Sequence, residues 1–580
     1  MKPVSLRVLC VVSALSVLCR AAEVQGRARE TLDRGLVAVR TQDGKVYIGW
    51  RLLEADAPGL AFDLYRSAGG TAPGKLNEQP IAKTTDFLDG SAAAGAEYAY
   101  ILREAGKADN LGKAVVTAGE GAAGYVSIRL DGKHTLQKIG IADLDGDGRL
   151  DFVLKQPNTN IDPYEKYWKR SQTPYQLEAY RGDGAFLWRH DLGWAIETGI
   201  WYSPYVVYDL DGDGKAEVAV KTGEGDPRDA DGRVQSGPEY LTILDGLTGK
   251  PRAQIGWPSR DAFKKQGARA YNYASRNQLG VACLDGKTPS LIVERGTYNI
   301  ITVIAYDFRD GKLAERWRWT NEKEPRTYWG AGAHWLHAAD VDADGRDELV
   351  LGSFVIDDTG KSLWAAGLGH PDHLYVGDLD PARPGLEIYF GIESRQQKGN
   401  GMCMVDAATG KILWGISKPT RHVHSCGLCS DIDPRFPGAE CYSADTDEKK
   451  QFAWGLLHAA KGEVIEQDEI KGFGPRTVYW DADPQRELLH SGRIRKFRGG
   501  ELAPKLEGAY VATADILGDW REEIITTLPG EMRIYTATIP ATDRRPCLMQ
   551  DPLYRLDVVM AAMGYYQVPM LSYDLGTRSR

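Results

Sequence analysis

An aspartate-rich nonapeptide recurs along the chain: DLDGDGRLD at 143–151, DLDGDGKAE at 209–217 and DVDADGRDE at 340–348. Acids at positions one, three and five, a glycine for the sharp turn, a main-chain carbonyl at seven and an acid at nine can surround one hard cation, as calcium requires. The ligands are then Asp143, Asp145, Asp147, the Arg149 carbonyl and Asp151 in the first copy. Asp209, Asp211, Asp213 and Glu217 serve in the second, and Asp340, Asp342, Asp344 and Glu348 in the third. An EF-hand would place a longer loop between two helices. Here each ninth-position acid opens an apolar run, FVLK, VAVK or LVLG, which reads as a strand. The alternative is an acidic surface turn without an ion.

Worn copies extend the series. Cys283, Asp285 and Glu294 mark one, Asp378, Asp380 and Glu387 another, and Asp431, Asp433 and Glu440 a third. Asp481, Asp483 and Glu487, then Asp515 and Glu523, complete it. The starts lie roughly 35 to 75 residues apart, room for four short strands each, and their number predicts an eight-bladed β-propeller over 120–580. Several units add a hairpin suited to a blade's outer edge: ILDGLTGK at 243–250, IDDTGKSLW at 356–364 and VDAATGKILW at 405–414. Residues 28–118 lack the loop. Their strands VYIGWRLL, FDLYRS, DFLDG and YAYILRE predict a fibronectin- or immunoglobulin-like β-sandwich with Trp50, Tyr65 and Tyr98 in its core. The expected fold is all-β.

Residues 1–22 place Lys2 and Arg7 before an apolar stretch from Val8 to Cys19, followed by Ala21 and Ala22, the pattern of an export signal peptide. Cleavage is favoured over lipid attachment at Cys19, because Leu18 is bulkier than the residue such anchors carry. No later apolar run is long enough to span a membrane. A periplasmic or extracellular monomer is expected. Disulfides are permitted there but not dictated for Cys283, Cys403, Cys426, Cys429, Cys441 and Cys547. The Cys426/Cys429 pair has no second CxxC to complete a zinc site. A formal net charge of -9 argues against a nucleic-acid partner. The 15 tryptophans and 28 tyrosines suit a turn-rich β protein, and also the flat faces of sugars.

Histidines are scarce, 10 in all, yet His334, His337, His370, His373 and His422 lie close in sequence. GAHWLH and GLGHPDH fall just ahead of the strands of successive units, Asp372 follows His370, and Glu393 ends EIYFGIE. Two imidazoles and two carboxylates could hold a cation, with satisfied structural histidines as the alternative. Arg421 in KPTRHVHS and Lys505 in APKLEGAY are two of 71 Lys and Arg residues and carry no signal alone.

Taken together, RGLVAVRTQDGKVYIGWRLL, YDLDGDGKAEVAVKTGEG, GHPDHLYVGDLDP with RPGLEIYFGIE, and HVHSCGLCSDIDP resemble the rhamnogalacturonan lyases of polysaccharide lyase family eleven. The resemblance covers nearly all of the chain after the leader. It implies a propeller behind a sandwich, several structural calcium ions, and one further calcium in a catalytic cleft held by His334, His370, Asp372 and Glu393. It also implies Arg421 and Lys505 as the basic catalytic residues. The implied substrate is an acidic plant polysaccharide, rhamnogalacturonan I, cut at C4 of galacturonate by β-elimination. The C5 proton is hard to remove while the neighbouring carboxylate keeps its charge, so a cation or Arg421 would stabilise the enolate-like transition state. Lys505 would be the base, its pKa drawn down from about 10.4 by burial or a nearby cation. Two other classes share the loops. A noncatalytic glycan-binding propeller needs neither histidine cluster nor basic cleft, and a glycoside hydrolase needs two carboxylates flanking the bond.

Overall fold

The computed structural model describes residues 27–118, 124–424, 427–466, 470, 476–565 and 567–577. The expected export signal, with Cys10 and Cys19, lies outside these residues, as does Cys426.

Two antiparallel sheets open the chain. Val37–Arg40, Val46–Gly49 and Asp86–Asp89 form the first; Gly74–Lys75, Phe62–Ala68, Tyr98–Glu104 and Asn110–Val116 form the second in that spatial order. One apolar cluster joins them, with Val46 and Ile48 from the first, Leu64, Tyr100 and Leu102 from the second, and Trp50 set edge-on against Phe62 at 5.5 Å. Tyr65 is not part of that core. Strand alternation turns Leu64 inward and Tyr65 outward, where Arg103 lies over its ring at 4.4 Å.

Among the described residues, eight further antiparallel sheets follow in chain order. Those spanning 138–191, 205–256, 277–320, 332–365, 371–415 and 428–466 have four strands each, and the one spanning 476–495 has three. The last takes Ala509–Ala514, Glu523–Leu528 and Glu531–Tyr535, then recruits Tyr125–Arg129 from far earlier in the chain as its fourth strand. First strands of neighbouring sheets pack together, Lys138–Ala142 on Tyr205–Tyr208, then Asn277–Ala282, Gly332–Ala339 and Pro371–Gly377. Ala509–Ala514 returns to Lys138–Ala142. The helix Pro552–Met560, capped by Asp551 and buried at every position but its first, lies against four of these first strands.

The repeated hairpins lock four of the sheets to the next. Trp188, Trp317, Trp364 and Trp414 donate their indole N–H to the carbonyls of Gly246, Asp358, Ala407 and Ala460 in the next sheet's turn, at 2.7–2.9 Å. The same rings cover the turn glycines. At Gly410 the backbone has φ +68° and an added Cβ would fall 2.4 Å from the Trp364 ring, so both conformation and space demand glycine.

Candidate metal centre

The aspartate loops share one hydrogen-bond design. The ninth-position acid accepts from the backbone N–H at position two: Asp151 from Leu144, Glu217 from Leu210 and Glu348 from Val341, at 2.9–3.1 Å. Four worn copies of differing length make the equivalent bond, with Glu387, Glu440, Glu487 and Glu523 at the head of the following strand accepting from Leu379, Ile432, Trp480 and Ile516. The copy at 283 does not. Ser290 opens that strand, while Glu294 lies near its far end and takes Gln278 instead, so Glu294 is no loop acid. In the first two full loops the leading aspartate also accepts from two glycine N–H groups, Asp143 from Gly146 and Gly148 and Asp209 from Gly212 and Gly214.

Oxygen donors converge in all three full loops: Asp143, Asp145 and Asp151; Asp209, Asp211 and Glu217; and Asp340, Asp342 and Asp344. Asp147, Asp213 and Glu348 are not among these triplets; one Glu348 oxygen is buried without a hydrogen bond. Burial, reinforced by the neighbouring acids, pushes Asp151 up to about 7 and Glu217 and Glu348 up to about 8. Crowded, half-buried carboxylates of this kind fit a hard divalent cation. Several worn loops are met by a basic side chain, Lys496 at 2.6 Å from Asp481, Arg435 on Asp433 and Arg521 on Asp519.

The histidines occupy the other end of the strands. His334 lies near the start of Gly332–Ala339, a strand that runs away from it into loop 340–348. His370 and Asp372 sit at the matching end of the next sheet, and Glu393 follows Glu387–Ile392. The structure brings all four together: His334 Nε2 and His370 Nε2 are 3.2 Å apart, His370 Nε2 is 3.2 Å from Glu393, and His334 is 3.8 Å from Asp372. Two more histidines join them. His422 Nε2 is 3.1 Å from the other Glu393 oxygen, and His424 Nδ1 is 2.9 Å from the other Asp372 oxygen. His370 Nδ1 donates to the Gly332 carbonyl, which fixes its tautomer and turns Nε2 into the cluster.

The cluster grades from a buried floor to an open mouth. His334, His370 and Asp372 are buried, whereas Glu393, His422 and His424 are partly open to solvent. Burial, with His370 and Arg276 nearby, holds His334 well below its ordinary pKa. Burial would raise Asp372, but the hydrogen bond from His424 and the surrounding imidazoles hold it low; the same bond raises His424. Burial lowers His422. Mixed nitrogen and oxygen donors with an open side fit a divalent metal, with more nitrogen than calcium's oxygen preference would select. Tyr298, Trp201 and Tyr565 wall the His334 side.

His337 and His373 belong elsewhere, as buried structural groups: His337 Nδ1 is 2.7 Å from Asp557 of the helix Pro552–Met560, and His373 Nε2 is 2.8 Å from Ser443. Arg421 stands at the rim. Its backbone N–H and that of His422 both bond Asp445, and its exposed guanidinium meets Glu448 at 3.0 Å. Lys505 is not with the histidines. It lines a separate cavity of about 600 Å³ with Thr41 and Asp43 of the first sheets, Tyr125, Arg533 and Tyr535. Trp480, next to the worn loop at 481, borders the same cavity, so Lys505 faces the loop end of the fold. Spacing could not have found His424, because HVH gains meaning only once Asp372 is beside it.

Family models match both parts of the chain: "Rhamnogalacturonan lyase family 11, C-terminal domain" over residues 130–579 and "Rhamnogalacturonan I lyases beta-sheet domain" over residues 27–110. The chain is 38% identical to rhamnogalacturonan endolyase YesW of Bacillus subtilis, covering 99% of this chain and 95% of that protein. It is 35% identical to rhamnogalacturonan exolyase YesX of the same organism, covering 95% and 96%. The crystal structure of YesW superposes with a TM-score of 0.86 at 36% identity over 96% of this chain and 98% of that one. That of a Bacillus licheniformis rhamnogalacturonan lyase gives 0.85 at 34%, over 96% and 98%.

Proposed function

The chain belongs to rhamnogalacturonan lyase family 11, and from that premise we propose that it cleaves the rhamnose-(1,4)-galacturonate bond of rhamnogalacturonan I by β-elimination, leaving a 4,5-unsaturated galacturonate end. The half-open cluster of four imidazoles and two carboxylates, with Arg421 at its rim, carries this reading. The eight sheets are read as propeller blades, since their first strands pack in series and the chain's early strand Tyr125–Arg129 completes the last sheet. The two opening sheets are read as the sandwich. Export and a monomeric state are part of the same proposal.

A divalent cation on His334, His370, Asp372 and Glu393 would supply positive charge to the uronate carboxylate when bound. The chain's own groups do the rest. Asp372 and Glu393 each turn a second oxygen to His424 and His422, which fixes both imidazoles at the mouth. Arg421, held by its backbone at Asp445, can exchange Glu448 for the substrate carboxylate in a two-point contact. Charge then accumulating on that carboxylate as the C5–H bond breaks is stabilised, C4–C5 becomes a double bond, and the rhamnosyl oxygen leaves with the C4–O electron pair. We assign the proton to the neutral amine form of Lys450 rather than to Lys505. Lys450 is exposed in the turn that follows Glu440–Thr446, whose Thr446 hydroxyl donates to the His422 carbonyl, and a positive charge there opposes protonation of His422 and His424. Lys505 lies in the other cavity. The test is turnover of rhamnogalacturonan I by Arg421→Ala, Lys450→Ala and Lys505→Ala. The first two are expected to lose at least about 100-fold in kcat/KM. A Lys505→Ala enzyme that loses as much, with Lys450→Ala intact, returns the base to Lys505.

A further inference from the structure

Large exposed aromatics are few among the described residues, and two of them, Tyr164 and Tyr167 at 47% and 54% exposure, share one loop. That loop, 157–175, leaves Asp151–Gln156 at the end opposite the aspartate loop and so lies on the face of the histidine cluster. It is well built. The N–H groups of Tyr167 and Trp168 donate to the Tyr164 carbonyl at 2.9 and 3.0 Å, and Trp168 donates its indole N–H to buried Glu197. Loop 225–237 backs it, with Arg233 over the Trp168 ring at 4.1 Å and Gly232 close against Arg170.

A chain of contacts joins this ridge to the histidine cluster. Asp162 accepts from the Tyr164 N–H and from Arg276 at 2.7 and 2.8 Å. Arg276 is buried against Trp201 and Tyr298, and the Tyr298 hydroxyl is 3.4 Å from His334. The ridge also carries unspent positive charge: Lys166, over the Tyr167 ring at 5.4 Å, and Lys169 are exposed and make no ion pair among the described residues.

We propose that Tyr164, Tyr167, Lys166 and Lys169 form a distal binding site for an acidic polysaccharide, a few sugar units from the reacting bond. The proposal rests on the lyase reading for the identity of the polymer and deepens it. Exposed tyrosine rings offer flat apolar faces to the C–H faces of sugars, and the loop is already ordered, so little entropy is lost on binding. The two ammonium groups match uronate carboxylates spaced along the same chain.

Two variants test it, Tyr164→Ala/Tyr167→Ala and Lys166→Ala/Lys169→Ala. All four side chains are exposed, so folding should survive; melting curves check this. Electrophoresis through gels containing rhamnogalacturonan I reads binding without turnover. The parent should be retarded, the tyrosine variant should run faster, and the lysine variant should behave in the native polymer as the parent does in carboxyl-reduced polymer. In kinetics, the ratio of kcat/KM on polymer to kcat/KM on a tetrasaccharide should fall about tenfold for the tyrosine variant. Parent-like migration with an unchanged ratio would overturn the proposal. Retardation that depends on the tyrosines, in a protein forming no unsaturated product, would sink the lyase reading and leave the binding site standing.

Discussion

Removing calcium should lower the melting temperature by an amount that the loops let us calculate. Three full loops gather carboxylates only in the folded chain, where burial and mutual repulsion already push Asp151, Glu217 and Glu348 to about 7, 8 and 8. A ligand that binds the folded state alone stabilises it by about 2.7 kcal/mol at a hundredfold excess over its dissociation constant, so three loops contribute about 8 kcal/mol. Unfolding entropy near 2.1 cal/mol/K per residue over residues 130–579 gives about 0.9 kcal/mol per degree. The expected drop is therefore about 9 °C. Scanning calorimetry of chelated and calcium-replete protein measures it, and Asp342→Ala, which breaks one loop, should shrink the difference by about a third. Coincident melts would refute the reasoning, as would an Asp342→Ala protein with the parent's full calcium shift.

Three further outcomes follow from particular contacts. His370→Ala, which removes the imidazole between His334 and Glu393, should cut lyase turnover by about 100-fold or more while calcium-dependent melting persists. His458 is buried against Trp414 and its pKa is held at about 4, so between pH ~6.5 and ~4 the unfolded chain takes the proton first and stability falls as pH falls. His458→Gln should melt with a smaller acid-side loss, by up to about 3 kcal/mol across that window. Gly410→Ala should destabilise by about 2–4 kcal/mol, through the strained backbone and the collision with Trp364, readable as a lowered melting temperature.

The aspartate loops were legible because their chemistry is local in sequence: an acid at one and an acid at nine meet through the turn between them once the flanking strands hold that turn. Where that locality failed, so did the reading. Glu294 has the right residue type at the wrong strand position, and Ser290 stands where the acid should be. Tyr65 is aromatic like the core residues Trp50 and Tyr98, yet alternation from Leu64 turns it outward. His334, His370, Asp372 and Glu393 were nameable from scarcity and family likeness, yet His422 and His424 complete the cluster only through contacts between successive sheets. Lys505 was harder to place from sequence. A lysine in a long connection has no periodicity to fix its direction, and its connection ends beside the opening sheets.

The central claim is tested most directly by the products formed from rhamnogalacturonan I. Elimination predicts new ends that absorb in the ultraviolet as conjugated unsaturated uronates, and fragment masses that sum to the parent with no water added. Fragments that each gain a water and show no such absorbance would contradict it and mark a hydrolase. A polymer bound but uncut, with calcium present, would mark a binding propeller.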